Sequence, residues 1–145
     1  QGCKSKIFTQ QNNFIITPSE SSCMLMLNLL PQLNMEQANV ISTNSSSVNS
    51  SFKVKFGLSG MGVAPAGVDV KNTGHHHLLV DMDSLPPMDQ PMGGDIIHFG
   101  GGQTETTLTL EPGEHTLQII LGDKNHVPHN PAVVSKKITI TVKAD

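Results

Sequence analysis

Tryptophan and tyrosine are absent from this 145-residue chain, and five phenylalanines are its whole aromatic complement. That removes the stacking platforms on which single-stranded nucleic acid is bound. Charge is scarce as well: charged residues make up 14% of the chain, the formal net charge is -3, and the lysines are scattered. No polycationic face is therefore available for nucleic acid or an anionic membrane surface. No run of 18 apolar residues occurs, and the most apolar stretch, Met24 to Leu30, is much too short to cross a bilayer. Enzyme signatures are missing too. There is no Gly-x-Ser-x-Gly elbow, and Gly100-Gly101-Gly102 has no Lys-Ser/Thr after it and opens no helical pattern, so neither a P-loop nor a dinucleotide turn is supported. A hydrolytic site built from histidines and Glu105 is the remaining enzymatic alternative, and the expectation is that the chain is not an enzyme.

Only two cysteines occur, Cys3 and Cys23, both near the N-terminus. The first residue is Gln1 rather than methionine, which predicts a removed leader and an exported protein, extracellular or periplasmic. An even cysteine count in an exported chain favours a Cys3–Cys23 disulfide, with two buried thiols as the alternative. The length suits one domain that buries roughly two-thirds of its unfolded surface, so no metal or disulfide is required for folding.

Residues 1–51 and 52–145 differ in texture. The first part holds short apolar islands in polar sequence, Ile7-Phe8, Phe14-Ile15-Ile16 and Met24 to Leu30, each of strand length. For the third a helix is the alternative, since Met and Leu are good helix formers, although Pro31 prevents a long continuous one. Ser42 to Ser51 reads as a Ser/Asn-rich linker. From Phe52 the pattern is regular, with Phe52, Val54, Phe56 and Leu58 alternating with Lys53 and Lys55, and near the end Ile138, Ile140 and Val142 alternating with Thr139 and Thr141. Thr104–Leu110 and His115–Leu121 flank Pro112-Gly113 and read as a hairpin in which Leu108 faces Leu117. Asp81 to Gly94, with three prolines and a Gly pair, reads as a long surface loop. Seven to nine short strands with no helical stripe predict an all-β fold, an antiparallel β-sandwich of immunoglobulin-like or jelly-roll type, preceded by an extended N-terminal strand arm.

All seven histidines lie at or after residue 75, and three are consecutive in Gly74-His75-His76-His77-Leu78-Leu79-Val80-Asp81. In a strand His75 and His77 share one face with Leu79, and His76 shares the other with Leu78 and Val80. Copper and zinc accept neutral imidazole, and His75, His77, His98, His126 and His129 are the candidate ligands, with Asp81, Asp83 and Asp123 available to orient rings. The competing reading is that these histidines hydrogen-bond to carbonyls and to one another at a sandwich end. His115 is expected to be structural.

Four ordered motifs, Met61-Gly-Val-Ala-Pro-Ala-Gly67, the Gly74–Asp81 stretch, Ile97-His-Phe-Gly-Gly-Gly-Gln-Thr-Glu-Thr106 and Leu121-Gly-Asp-Lys-Asn-His-Val-Pro-His129, resemble a bacterial domain of unknown function found in exported proteins. The resemblance runs from about Phe52 to Val142 and implies an exported β domain without naming a reaction. The favoured expectation is an extracellular structural subunit that polymerises head to tail with itself into a pilus-like filament, with Ile7, Phe8, Phe14, Ile15 and Ile16 supplying a donated strand. The alternatives are an arm that packs back on its own domain and an exported copper- or zinc-binding β-sandwich.

Overall fold

The computed structural model describes residues 22–28 and 46–144. Among the described residues there are nine strands and no helix. One sheet has three strands in the order β1 (Ser22–Asn28), β3 (Ser51–Ser59), β7 (Glu105–Thr109). The other runs β2 (Ser46–Val48), β9 (Ile138–Val142), β8 (Gly113–Gly122), β5 (Thr73–Val80), and the far edge of β5 is shared by the two short strands β4 (Gly62–Val63) and β6 (Ile97–His98). The all-β expectation holds. The sheets are mixed rather than purely antiparallel: β1–β3, β2–β9 and β4–β5 pair in parallel, while β3–β7, β5–β6, β5–β8 and β8–β9 are antiparallel.

Period-two alternation builds the interior. Phe52, Val54 and Phe56 from β3 and Leu108 from β7 meet Leu78, Leu117, Ile119, Leu121, Ile138, Ile140 and Val142 from the larger sheet in one buried cluster. Each such side chain contributes about 1.5–3 kcal/mol when fully buried, so this layer between the two sheets is the main source of stability. The expected hairpin is overturned. β7 pairs with β3 and β8 pairs with β5 and β9, so Glu111 to Gly113 carries the chain from one sheet to the other. Leu108 and Leu117 do share a core, but from opposing sheets. An apolar stripe specifies which face is buried and leaves open which strand lies beside it, and here the stripe is satisfied across the sandwich.

β5 is buried on both faces. Its inner face joins the main core through Leu78, and its outer face carries Leu79, which packs with Ile120, Met92 and Ile96 in a second apolar cluster flanked by Met82, Leu85 and Val134. The proline-rich segment after Val80 is thus a cover for the outer face of the sheet.

Met24 to Asn28 lies in a strand, as expected from its length, with Cys23 opposite Val54. The tract read as a linker contains β2, which pairs with β9 and sends Val48 into the core. Ile7, Phe8, Phe14, Ile15, Ile16 and Cys3 lie outside the described residues, and the Cys3–Cys23 pairing therefore does too.

Candidate metal centre

Strand alternation divides the three consecutive histidines as expected. His75 and His77 face outward from β5, and His76 faces the core, its ring centroid 5.1 Å from that of Phe56. Register brings in the third ring: β6 pairs antiparallel with β5 so that His98 stands directly opposite His77. Directly opposed residues share a face and stand close enough to touch, which leaves the His77 and His98 centroids 5.2 Å apart.

The fourth ring comes from a tight loop after β8. The Asp123 carboxylate accepts the backbone N–H groups of Asn125 (2.8 Å) and Val127 (3.0 Å), and the His126 N–H donates to the Asp123 carbonyl at 2.9 Å. This holds His126 at φ 67°, in the left-handed region. Non-glycine residues held there commonly mark functional sites, and histidine is among those that tolerate it. The His126 carbonyl in turn accepts the Met92 N–H at 2.8 Å, which ties the loop to the cover over the outer face.

One candidate nitrogen from each of His75, His77, His98 and His126 lies within 4.8 Å of every other. Nε2 of His75 is 3.0 Å from Nδ1 of His126 and 3.2 Å from Nε2 of His98. His77 is oriented by its Nδ1, which lies 3.3 Å from the His75 carbonyl; as the N–H donor there, it leaves Nε2 with a free lone pair. That Nε2 and Nδ1 of His75 are both buried without a hydrogen-bond partner among the described residues. His75 and His77 are at most 1% exposed, whereas His98 is exposed and His126 half-buried, so the site has a closed side on β5 and an open side.

Burial and crowding keep the inner rings neutral. Burial first, then the neighbouring His126 and His98, lowers His75 to about 4. Burial, then His75 and His98, lowers His77 to about 3. His98 is lowered by burial and by His126. These rings are therefore uncharged at neutral pH, each carrying one N–H and one lone pair.

His129, the fifth candidate, is not among the four. Gly122 forms an isolated bridge with Pro128, and the chain then places His129 Nε2 over Gly74, where a Cβ would come within 2.8 Å of it, on the face of β5 that carries His76. The aspartates do not orient the cluster rings either. Asp123 shapes the loop backbone, Asp83 lends its carbonyl to Lys137, and Asp81 takes the N–H of His115 at 2.7 Å. His115 also meets the Glu111 carbonyl at 2.8 Å, a structural role as expected.

Two glycines complete the site. A Cβ on Gly100 would collide with the edge of the His98 ring, 2.6 Å from Nε2, and one on Gly122 would lie 2.6 Å from His77 Cε1 and 2.9 Å from Met92 Cε. A glycine run directly after His98 is the sequence signal that suits such a close approach, whereas Gly122 and Met92 carry no signal of their own.

Residues 54–143 match the family model described as a domain of unknown function (DUF4399). The chain belongs to that family. No curated protein and no solved structure matches it. All four clustered histidines fall inside the DUF4399 match, as do Gly100 and Gly122, whereas β1 and β2 lie before it.

Proposed function

We propose that this DUF4399 domain binds one transition-metal ion, zinc or copper, through His75, His77, His98 and His126. One observation carries the reading. A neutral imidazole nitrogen either donates one proton or offers one lone pair, yet Nε2 of His75 approaches both Nδ1 of His126 and Nε2 of His98 at 3.0–3.2 Å while Nε2 of His77 has no partner among the described residues. A hydrogen-bonded cluster satisfies at most part of this set. An ion at the centre takes a lone pair from every ring, and imidazole is a ligand that zinc and copper accept. The open side formed by His98 and His126 suits an ion that is taken up and released. The main core closes without these four rings, so the metal is cargo or cofactor rather than a folding staple. Placement in an exported bacterial protein, periplasmic or extracellular, belongs to the same proposal and rests on the motif resemblance.

The test is a competition titration of the metal-stripped chain with zinc and with copper, alongside a His98→Ala/His126→Ala double variant. One ion per chain is expected, with affinity lost by a hundredfold or more in the variant and its β-type circular dichroism retained. Equal binding by both proteins refutes the site.

A second reading, self-assembly by strand donation, requires the β3 edge, which β1 of the same chain occupies here, to exchange that strand with a neighbour. This strand lies outside the DUF4399 match and pairs with Lys53 to Ser59 of β3. An edge that accepts a strand from the arm can also accept one from the next subunit. Negative-stain microscopy and size exclusion of the chain, beside a version lacking residues 1–28, test it; a strictly monomeric chain ends the filament reading.

A further inference from the structure

The six ring-to-ring separations carry information about which ion fits. They are 4.5 Å for His98–His126, 4.7 Å for His75–His77, 4.9 Å for both His75–His98 and His75–His126, 5.2 Å for His77–His98 and 5.8 Å for His77–His126. Take an ion about 2.1 Å from each nitrogen with the ring centroid about 1.1 Å further on: a tetrahedron sets every pair about 5.2 Å apart, whereas a square plane sets four pairs at about 4.5 Å and two opposite pairs at about 6.4 Å. The two opposite pairs of a square share no ring, so they must come from one of three couples. The couple with the longest member joins His77–His126 at 5.8 Å to His75–His98 at only 4.9 Å. The others are shorter still, so no couple supplies both diagonals of a square.

The rings are also held against flattening. His77 and His98 are locked opposite each other by the β5–β6 pairing. The His98 ring lies against Gly100 and the His77 ring against Gly122, each so close that a Cβ would find no room, which limits movement of either ring toward that backbone. Among the described residues the donor set is imidazole throughout, and four imidazoles complete a tetrahedral shell.

Building on the metal-binding proposal, we infer that the four histidines form a tetrahedral site for a closed-shell d10 cation, zinc(II) or copper(I), and disfavour the square-planar ions nickel(II) and copper(II). At an adaptable nitrogen site the intrinsic order of affinities puts copper(II) well above zinc(II); a site that resists flattening narrows that gap.

Cobalt(II) reports the geometry. Added to the metal-stripped full chain, it is expected to give the intense visible ligand-field bands of a tetrahedral ion, erased by one equivalent of zinc. Zinc-loaded protein is expected to retain its ion against nickel(II) with a preference of tenfold or more. Competition against a copper(I) chelator under reducing conditions, compared with a zinc chelator under air, then distinguishes the two d10 ions, and tight retention of either upholds the geometry. Faint octahedral cobalt bands, or nickel that displaces zinc and shows a square-planar spectrum, overturn the tetrahedral assignment while leaving metal binding intact. A chain that takes up none of these ions overturns both proposals.

Discussion

His76 offers a perturbation whose size can be worked from the structure. Its ring is fully buried between the sheets beside Phe56, and neither nitrogen has a hydrogen-bond partner among the described residues. Burial lowers its pKa to about 4, with the nearby Gln103 backbone opposing that shift. The folded value lies below the ordinary 6.5, so between about pH 6.5 and pH 4 the unfolded chain binds more protons than the native one. Stability therefore falls as pH drops through that window, and nothing is lost above it. At about 1.4 kcal/mol per pKa unit, the His76 contribution to the loss is roughly 2–3 kcal/mol by pH 4.5. His76→Leu removes it and also removes a buried polar ring whose nitrogens lack a well-formed hydrogen bond, a cost of about 1–3 kcal/mol in all. The variant is expected to be more stable by about 1–3 kcal/mol at pH 7.5 and by a further 2–3 kcal/mol at pH 4.5. Urea denaturation of both proteins at both pH values, with chelator present, measures the two increments. A variant that is less stable at pH 7.5, or whose stability falls with acid as steeply as the parent's, refutes the assignment of an unpartnered neutral ring in the core.

Gly122→Ala pushes a methyl group against His77 and Met92 and is expected to weaken zinc binding tenfold or more in a chain that still folds; unchanged affinity by chelator competition sinks the cradle role. Free zinc at a hundred times its dissociation constant raises unfolding free energy by about 2.7 kcal/mol, less whatever the unfolded Gly74–His77 stretch binds, whereas chelation leaves the β-type circular dichroism unchanged. The Asp81 hydrogen bond raises His115, so that contribution is present below about pH 6.5 and fades as pH rises through the folded value. Asp81, which burial raises, is lowered on balance by His115 and the Thr116 N–H, so its contribution is present above the ordinary carboxylate range and fades as acid is added. Asp81 is half exposed, so His115→Gln is expected to cost no more than about 1 kcal/mol at pH 5.5, and less in high salt; a loss independent of salt counts against the ion pair.

The local pattern of residues determined a good deal by itself. Period-two alternation is a property of the extended chain, so the buried faces of β3 and β9 and the division of His75 and His77 from His76 were legible before any partner was known. Partners were not legible. Periodicity states which face is buried and is silent on what lies alongside, so β7 and β8, joined by a turn that suits a hairpin, pair instead with strands distant in sequence. The site shows the same division. Copper or zinc ligands could be nominated by residue type, but His98 joins only through its register opposite His77, and His126 joins only because Asp123 bends its loop into the left-handed region. His129, three residues further on, is carried by the Gly122–Pro128 bridge to the opposite face of β5. Gly122 matters to the histidine cluster for a reason no local pattern contains: two side chains from distant segments, His77 and Met92, occupy the space where its Cβ would stand.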